Sequence, residues 1–134
     1  MLIDMKKILL LVVAASLFGC AERNEYKQAV LEQMKNDQDI KDYKIDPEIM
    51  MSCVVDTSAK KMPGLLPIDP ERRQAYKNYV RMIQLNKSED PKALLDELRT
   101  AFGSPKDLAD AHSNYSESVV ECVSGLVTNE ERPK

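Results

Sequence analysis

Apolar residues recur at helical intervals along most of the chain, and short runs rich in proline, glycine or polar residues separate the segments. The first segment predicts a helix from Glu22 to Lys35, because its apolar side chains share one face and good helix formers fill the rest. These apolar residues are Tyr26, Ala29, Val30 and Met34. The segment from Ile40 to Tyr43 is either a short continuation of that helix or a connector.

The tripeptide Asp-Pro-Glu occurs twice, at Asp46-Pro47-Glu48 and at Asp69-Pro70-Glu71. It supplies a capping side chain, a proline at the first helical position and a negative charge in the first turn. We therefore predict a second helix that ends near Lys60 and a third that ends near Leu85. The predicted inner faces are Ile49, Met50, Cys53, Val54 and Thr57 in the second helix and Tyr76, Tyr79, Val80 and Ile83 in the third.

Two further helix starts follow. Ser88-Glu89-Asp90-Pro91 opens a fourth helix, for which Gly103 is a C-terminal cap. Ser104-Pro105-Lys106-Asp107 is close to a capping box and opens the last helix. The inward residues are Leu94, Leu95, Leu98 and Phe102 in the fourth helix, and Leu108, Ala111, His112, Tyr115, Val119, Cys122, Val123 and Leu126 in the last. This long stripe predicts that the last helix packs centrally.

These segments predict the fold class. About five short helices with short connections, and no convincing alternating strand, indicate a compact all-α bundle. We expect a single domain over residues 20–134. Residues 128–134 are polar and contain Pro133, so we expect them to fray.

The segment from Met62 to Ile68 cannot continue a helix, because two prolines and a glycine interrupt it. Its apolar side chains either close over the end of the bundle or offer a rigid apolar surface to a partner. We expect them to close the core, since apolar side chains usually lie inside. If the segment is instead exposed, the candidate partner-binding residues are Met62, Leu65, Leu66 and Ile68.

The N-terminus has the layout of a signal peptide. Lys6 and Lys7 precede an uninterrupted run of 11 apolar or small residues, which ends at Phe18. At about 1.5 Å per residue, this run is too short to remain as a helix across a core of roughly 30 Å. Either Met1 or Met5 is the initiator, and Met5 would give a shorter and entirely basic start.

Leu17-Phe18-Gly19-Cys20 resembles the lipobox of bacterial lipoproteins, with an aliphatic residue first, a small residue before the cut and then the obligatory cysteine. Phe18 departs from the small residue usual at its position. The resemblance implies that residues 1–19 are removed and that Cys20 carries a diacylglyceryl group and an acylated amine. Several acyl chains attach a protein to a membrane effectively permanently. Ala21 follows the anchor, and in the enterobacterial sorting pattern a residue other than Asp favours the outer membrane.

Composition narrows the function classes. The 134-residue chain is 43% hydrophobic and 31% charged, as in one ordinary globular domain. Removal of residues 1–19 leaves 17 basic and 21 acidic residues, a formal charge of about −4, which disfavours a nucleic-acid partner. One His and four Gly leave too little for a metal cage or a phosphate-binding loop, so we expect no metal and no cofactor.

Cys53 and Cys122 are the two cysteines of the mature chain. In an exported protein such a pair is most simply one disulfide, which here would join the second helix to the last. The spacing is unlike that of a redox motif. The alternative, two free thiols in a metal site, lacks ligands other than His112.

Histidine and tyrosine are the remaining candidates for chemistry. His112 lies in the apolar stripe of the last helix, so we expect a partly buried packing residue rather than a general base. Tyr26, Tyr76, Tyr79 and Tyr115 could form a ligand platform, but they occupy inward positions that favour core packing. We therefore expect no catalytic residue and no enzyme.

The leading hypothesis is a membrane-anchored periplasmic lipoprotein that binds another envelope protein. It would act as an accessory or assembly factor, similar in architecture to the pilotins of secretion systems, although no pilotin motif is present. A second hypothesis of the same kind is an inhibitor or immunity factor that sets an acidic face against a basic active site. A partner would dock against a groove between helices or against the loop from Met62 to Ile68.

Two hypotheses from other classes remain open. A small-ligand carrier or weak hydrolase would need a pocket that contains His112 and a converging carboxylate or hydroxyl. A structural envelope spacer would be attached to the cell wall through Lys134, since a terminal lysine also ends the murein lipoprotein, with which the chain shares nothing else.

Overall fold

The computed structural model describes Met5 and residues 21–130, without the side chains of residues 129 and 130. This part of the chain contains six α-helices, one 3-10 helix and no strand. The helices are α1 (Ala21–Asn36), α2 (Gln38–Asp42), α3 (Pro47–Ala59), α4 (Pro70–Ile83), α5 (Pro91–Phe102) and α6 (Pro105–Glu130), and the 3-10 helix is Leu85–Lys87. The predicted all-α class is confirmed, and the segment after α1 is the short helix α2.

The helix starts follow the local signals in the sequence. Proline occupies the beginning of α3, α4 and α5. The Asp46 carboxylate accepts a hydrogen bond from the Glu48 amide at 2.8 Å, and the Asp90 carboxylate accepts one from the Ala93 amide at 3.1 Å. Gly103, at φ 112°, ends α5. The five long helices therefore begin and end within two residues of the predicted positions, except at the end of α6.

The core lies between α1, α3, α4 and α6, with α5 packed against α4 and α6. Arg23 near the start of α1 pairs with Asp56 near the end of α3, so these two helices are antiparallel. Glu22 contacts Arg73, and the Gln33 amide donates to the Ile83 carbonyl, so α1 and α4 run in the same direction. The start of α1, the end of α3 and the start of α4 therefore lie at one end of the bundle.

Tyrosines form the centre of the core. Tyr26 and Tyr76 are at most 1% exposed, and their ring centroids lie 5.6 Å apart. Tyr79 packs edge-on against Tyr26 and Phe102, at 5.8 and 5.7 Å. Tyr115 is half-buried, so all four tyrosines predicted to point inward do so.

A disulfide joins Cys53 of α3 to Cys122 of α6, with the two Cα atoms 5.9 Å apart. The predicted bridge between the second and last helices is confirmed. Because the two cysteines are 69 residues apart in sequence, the bridge ties together distant parts of the chain.

Two expectations about helix faces and ends differ from the structure. Ile49 is 55% exposed, whereas Val55 and Ser58 are buried, because α3 packs on both α1 and α6 and buries a wider face than the one predicted. Thr128 lies within α6, which continues to Glu130, and the rest of the predicted tail lies outside the described residues. Cys20 and the signal segment, apart from Met5, also lie outside them.

Candidate functional site

The loop from Met62 to Ile68 is largely exposed. Leu65, Leu66 and Ile68 are 90%, 57% and 60% exposed. The expectation that these side chains close over the core is wrong for all three. It is correct only for Met62, which is 5% exposed and packs in the core, so Met62 is not available to a partner.

Arg72 holds this loop from the first turn of α4. Its guanidinium donates hydrogen bonds to the carbonyls of Pro63 at 2.8 Å, Gly64 at 2.5 Å and Met62 at 3.4 Å. Arg72 is only 7% exposed, and a buried guanidinium needs such acceptors. The three carbonyls therefore fix the first half of the loop against α4.

Asp69 holds the second half. Its carboxylate accepts hydrogen bonds from the amides of Leu65 at 2.9 Å and Leu66 at 2.8 Å. These backbone donors hold the pKa of Asp69 below its usual value. Gly64 makes the turn at φ +80°, where a Cβ atom would lie 3.0 Å from the Arg72 backbone nitrogen and Cβ atom. The exposed leucines are therefore presented on a fixed backbone.

A cleft of about 720 Å³ opens beside the loop, between α4 and α6. We call it the α4–α6 cleft. Its apolar lining is Pro63, Pro70, Ala75, Tyr79, Ala101, Phe102 and Ala111. Three carboxylates line it as well, those of Glu71, Asp107 and Asp110, together with the exposed Lys61. The cleft thus combines an apolar lining with an excess of negative charge.

The buried polar groups of the cleft are engaged in structural hydrogen bonds. The Asn114 amide donates to the Tyr79 hydroxyl at 2.8 Å and to the Ser58 carbonyl at 2.9 Å. The Asn78 amide donates to the Ala101 carbonyl at 3.3 Å. Burial raises the pKa of Tyr79. These hydrogen bonds join α4 to α5 and α6, and α6 to α3.

His112 is exposed, which corrects the expectation of a partly buried residue. It lies at the edge of the α6 stripe, beside a second cavity of about 770 Å³ between α4, α5 and α6. The apolar lining of this cavity includes Met82, Ile83, Leu85, Leu95, Leu98 and Leu108. Ser113 and Tyr115 also line it, and burial raises the pKa of Tyr115 to about 12. In the described chain, His112 forms no hydrogen bond with either hydroxyl.

Two further positions bear on the candidate chemistry. The Tyr26 hydroxyl and the Ser58 Oγ atom are hydrogen-bonded at 2.7 Å inside the core, and burial raises the pKa of Tyr26. Tyr43, in contrast, is 53% exposed. The tyrosines are therefore not gathered at one surface site.

Sequence reasoning missed both the α4–α6 cleft and the role of Arg72. A signal for Arg72 was present, because Arg72, Tyr76 and Tyr79 follow the spacing i, i+4, i+7. A lone arginine on an apolar face indicates a buried cation that needs local acceptors. The cleft has no comparable signal, since α4, α5 and α6 each contribute only part of it.

In the comparisons with known proteins, no protein-family model, curated protein or solved structure matches the chain. Among the side chains that the structure describes, no His, Cys, Asp and Glu residues form a group of three that could hold a metal ion. Among the described helices, none has the length and apolarity needed to cross a membrane.

Proposed function

We propose that this protein is a lipid-anchored envelope lipoprotein that binds another envelope protein. Cys20 would carry the lipid and hold the domain on the inner leaflet of the outer membrane, facing the periplasm. The partner would be a protein that this lipoprotein helps to assemble, hold or inhibit. The lipid would keep both at one surface and so raise their effective concentration.

The α4–α6 cleft carries the proposal. Its lining offers part of the half-buried ring of Phe102, and aromatic side chains are enriched at protein interfaces. Glu71, Asp107 and Asp110 surround this surface with negative charge. The matching partner segment would insert an apolar side chain and place a lysine or arginine beside it.

A binding role fits the cleft better than catalysis. The Asn78 and Asn114 amides and the Tyr79 hydroxyl are already paired within the protein. No group near them combines a nucleophile with an adjacent base among the described residues, as covalent catalysis would need. We therefore propose that the protein is not an enzyme.

Photo-crosslinking in the native envelope tests the proposal. Benzoylphenylalanine replaces Ala101, which is exposed and lines the cleft, or Ala93, which is exposed on the same helix outside the cleft. We expect a discrete adduct from position 101 and none from position 93. Mass spectrometry of the adduct should identify a partner segment with an apolar residue next to a basic one.

A charge reversal with a matched control sharpens the test. Glu71→Lys and Glu48→Lys both change an exposed residue that follows the proline at a helix start, so their effects on the helix should be equal. Glu71 lines the cleft and Glu48 does not. We expect Glu71→Lys to abolish the adduct and Glu48→Lys to retain it. An adduct that survives both changes, or none from position 101, would contradict binding through the cleft.

The anchor is tested separately. Metabolic labelling with a fatty-acid probe should mark the wild-type protein and not Cys20→Ser. Equal labelling of both would contradict lipidation at this residue.

A small-ligand carrier is the second candidate, favoured by the apolar cavity beside His112. Ala109 is exposed and lines it, so Ala109→Trp should fill part of the space. Native mass spectrometry of the protein released from its envelope would then show a small molecule on the wild type and none on the variant. A wild-type mass with no added ligand would remove this candidate.

A further inference from the structure

The exposed loop and the proposed anchor lie at the same end of the bundle. Helix α1 begins at Ala21, the residue that follows Cys20 in sequence, and Glu22 is joined to Arg73 in the first turn of α4. The neighbouring Arg72 holds the loop through its three carbonyl contacts. Arg73 thus binds the start of α1, and the adjacent Arg72 binds the apolar loop.

No linker separates the proposed anchor from the folded domain. One extended residue spans at most about 3.6 Å, so a lipid on Cys20 would bring the start of α1 to the membrane surface. Glu22, the second residue of α1, is already buried against α4. The end of the bundle that contains the loop is therefore held close to the lipid headgroups.

We propose that Leu65, Leu66 and Ile68 enter the interfacial region of the membrane that holds the lipid anchor. This inference rests on the proposed lipidation of Cys20. It assigns the loop to a lipid surface rather than to a protein partner, and it leaves the α4–α6 cleft for the partner. The loop is then a second, apolar attachment that fixes the orientation of the domain.

The hydrogen bonding of the loop suits a lipid environment. Backbone groups that leave water need partners within the protein. The amides of Leu65 and Leu66 already donate to Asp69, and the carbonyls of Met62, Pro63 and Gly64 already accept from Arg72. Pro63 and Pro67 have no amide hydrogen. Two amides and three carbonyls of the loop are therefore already paired before it meets the membrane surface.

The charges beside the loop are compatible with this placement. Lys60 is exposed immediately before it and can approach anionic headgroups, whereas Lys61 is paired with Glu117 at 3.3 Å. The Asp69 carboxylate is engaged by two backbone amides, and Glu71 lines the cleft instead.

Site-specific fluorescence on the full, lipidated chain tests the inference. Leu65→Cys and Ile68→Cys are each labelled with an environment-sensitive nitrobenzoxadiazole probe, with Ile49→Cys as the control. Ile49 is 55% exposed and lies in the first turn of α3, so it is about 15 Å along the helix axis from the end that leads into the loop. Since Cys20 is lipidated and Cys53 is bridged to Cys122, the introduced thiol is the free one.

The labelled proteins are reconstituted in vesicles of phosphatidylethanolamine and phosphatidylglycerol and recovered by flotation. We expect the probes at positions 65 and 68 to shift their emission to the blue and to be quenched by brominated lipid. The probe at position 49 should keep the emission and intensity that it shows in water.

Each outcome bears on a different proposal. If the labelled proteins float but the probes at positions 65 and 68 give the same emission as the probe at position 49, the loop inference is wrong while the anchor stands. The loop would then face water and be open to a protein partner. If the wild-type protein does not float, the anchor proposal fails and the loop inference fails with it. Leu65→Asp should remove the quenching measured at position 68, which shows that it depends on apolar insertion.

Discussion

The carboxylate of Glu22 lies 2.9 Å from the guanidinium of Arg73 and ties the start of α1 to the first turn of α4. The Glu22 side chain is only 8% exposed, whereas that of Arg73 is 38% exposed. Lys77 lies 3.9 Å from the same carboxylate oxygen. The pair thus fixes the end of the bundle at which the proposed anchor begins.

Loss of this ion pair should destabilise the protein in a pH-dependent way. Arg73→Met leaves the Glu22 carboxylate with only Lys77 nearby, and we expect a lower free energy of unfolding than in the wild type at pH 7. The hydrogen bond from Arg73 lowers the pKa of Glu22 from its usual 4.5. The stabilisation is therefore present above pH 4.5 and is lost as the pH falls through the lowered pKa.

Urea unfolding followed by circular dichroism, at pH 7 and again below pH 4, measures this difference. Arg99→Met is the control, because Arg99 forms an exposed pair with Asp96 that should contribute less than about 1 kcal/mol. A deficit in Arg73→Met that is equal at both pH values would contradict the assigned role of Glu22.

Two glycine substitutions should have opposite effects. Gly64→Ala places a Cβ atom at φ +80° and 3.0 Å from Arg72, so we expect a loss of at least about 1 kcal/mol. Gly125→Ala lies within α6 with nothing within 4 Å, so we expect a gain of about 0.5–1 kcal/mol from reduced backbone entropy. Thermal unfolding of the two variants in parallel measures both changes in stability. A gain in stability for Gly64→Ala would count against the described loop geometry.

The Asn114 side chain should be a large single contributor to stability. Asn114→Ala removes two buried hydrogen bonds and leaves the Tyr79 hydroxyl and the Ser58 carbonyl without this donor. We expect a loss of about 2–3 kcal/mol in urea unfolding. Ser113→Ala, an exposed neighbour on the same helix, should change the free energy of unfolding by less than about 0.5 kcal/mol. Similar values for both variants would mean that the buried amide contributes nothing.

The disulfide should provide a large share of the stability. Replacing both Cys53 and Cys122 with alanine opens a closure across 69 residues, for which chain entropy predicts a loss of about 4 kcal/mol. The measurement is the free energy of unfolding, with non-reducing mass spectrometry of the wild type as the check that the bridge is intact. An unchanged midpoint in the double variant would show that the bridge does not constrain the unfolded chain as expected.

Helix positions could be predicted from the sequence because their signals are local. Proline at the first position, an acidic first turn and Gly103 at a C-terminus act within a few residues, so they need no knowledge of the fold. The disulfide followed from there being two cysteines in the predicted mature chain, on two apolar faces. These features are confirmed by the structure.

The candidate site could not be predicted in the same way. Apolar content alone suggested that Leu65, Leu66 and Ile68 close the core, but Met62 and the tyrosines already fill that space. His112 has the same helical spacing as the core residues of α6, but it lies at the edge of the apolar stripe and is exposed to solvent. Burial depends on which elements lie opposite, and that information is not local.

The two copies of Asp-Pro-Glu separate what the sequence determined from what the tertiary structure decided. Both begin a helix, since the proline and the first-turn charge act locally. Asp46 caps its own helix, whereas Asp69 makes no side-chain cap and instead accepts the amides of Leu65 and Leu66. Identical tripeptides thus have different hydrogen bonds, because the loop that Arg72 holds against α4 turns two of its amides toward the Asp69 carboxylate.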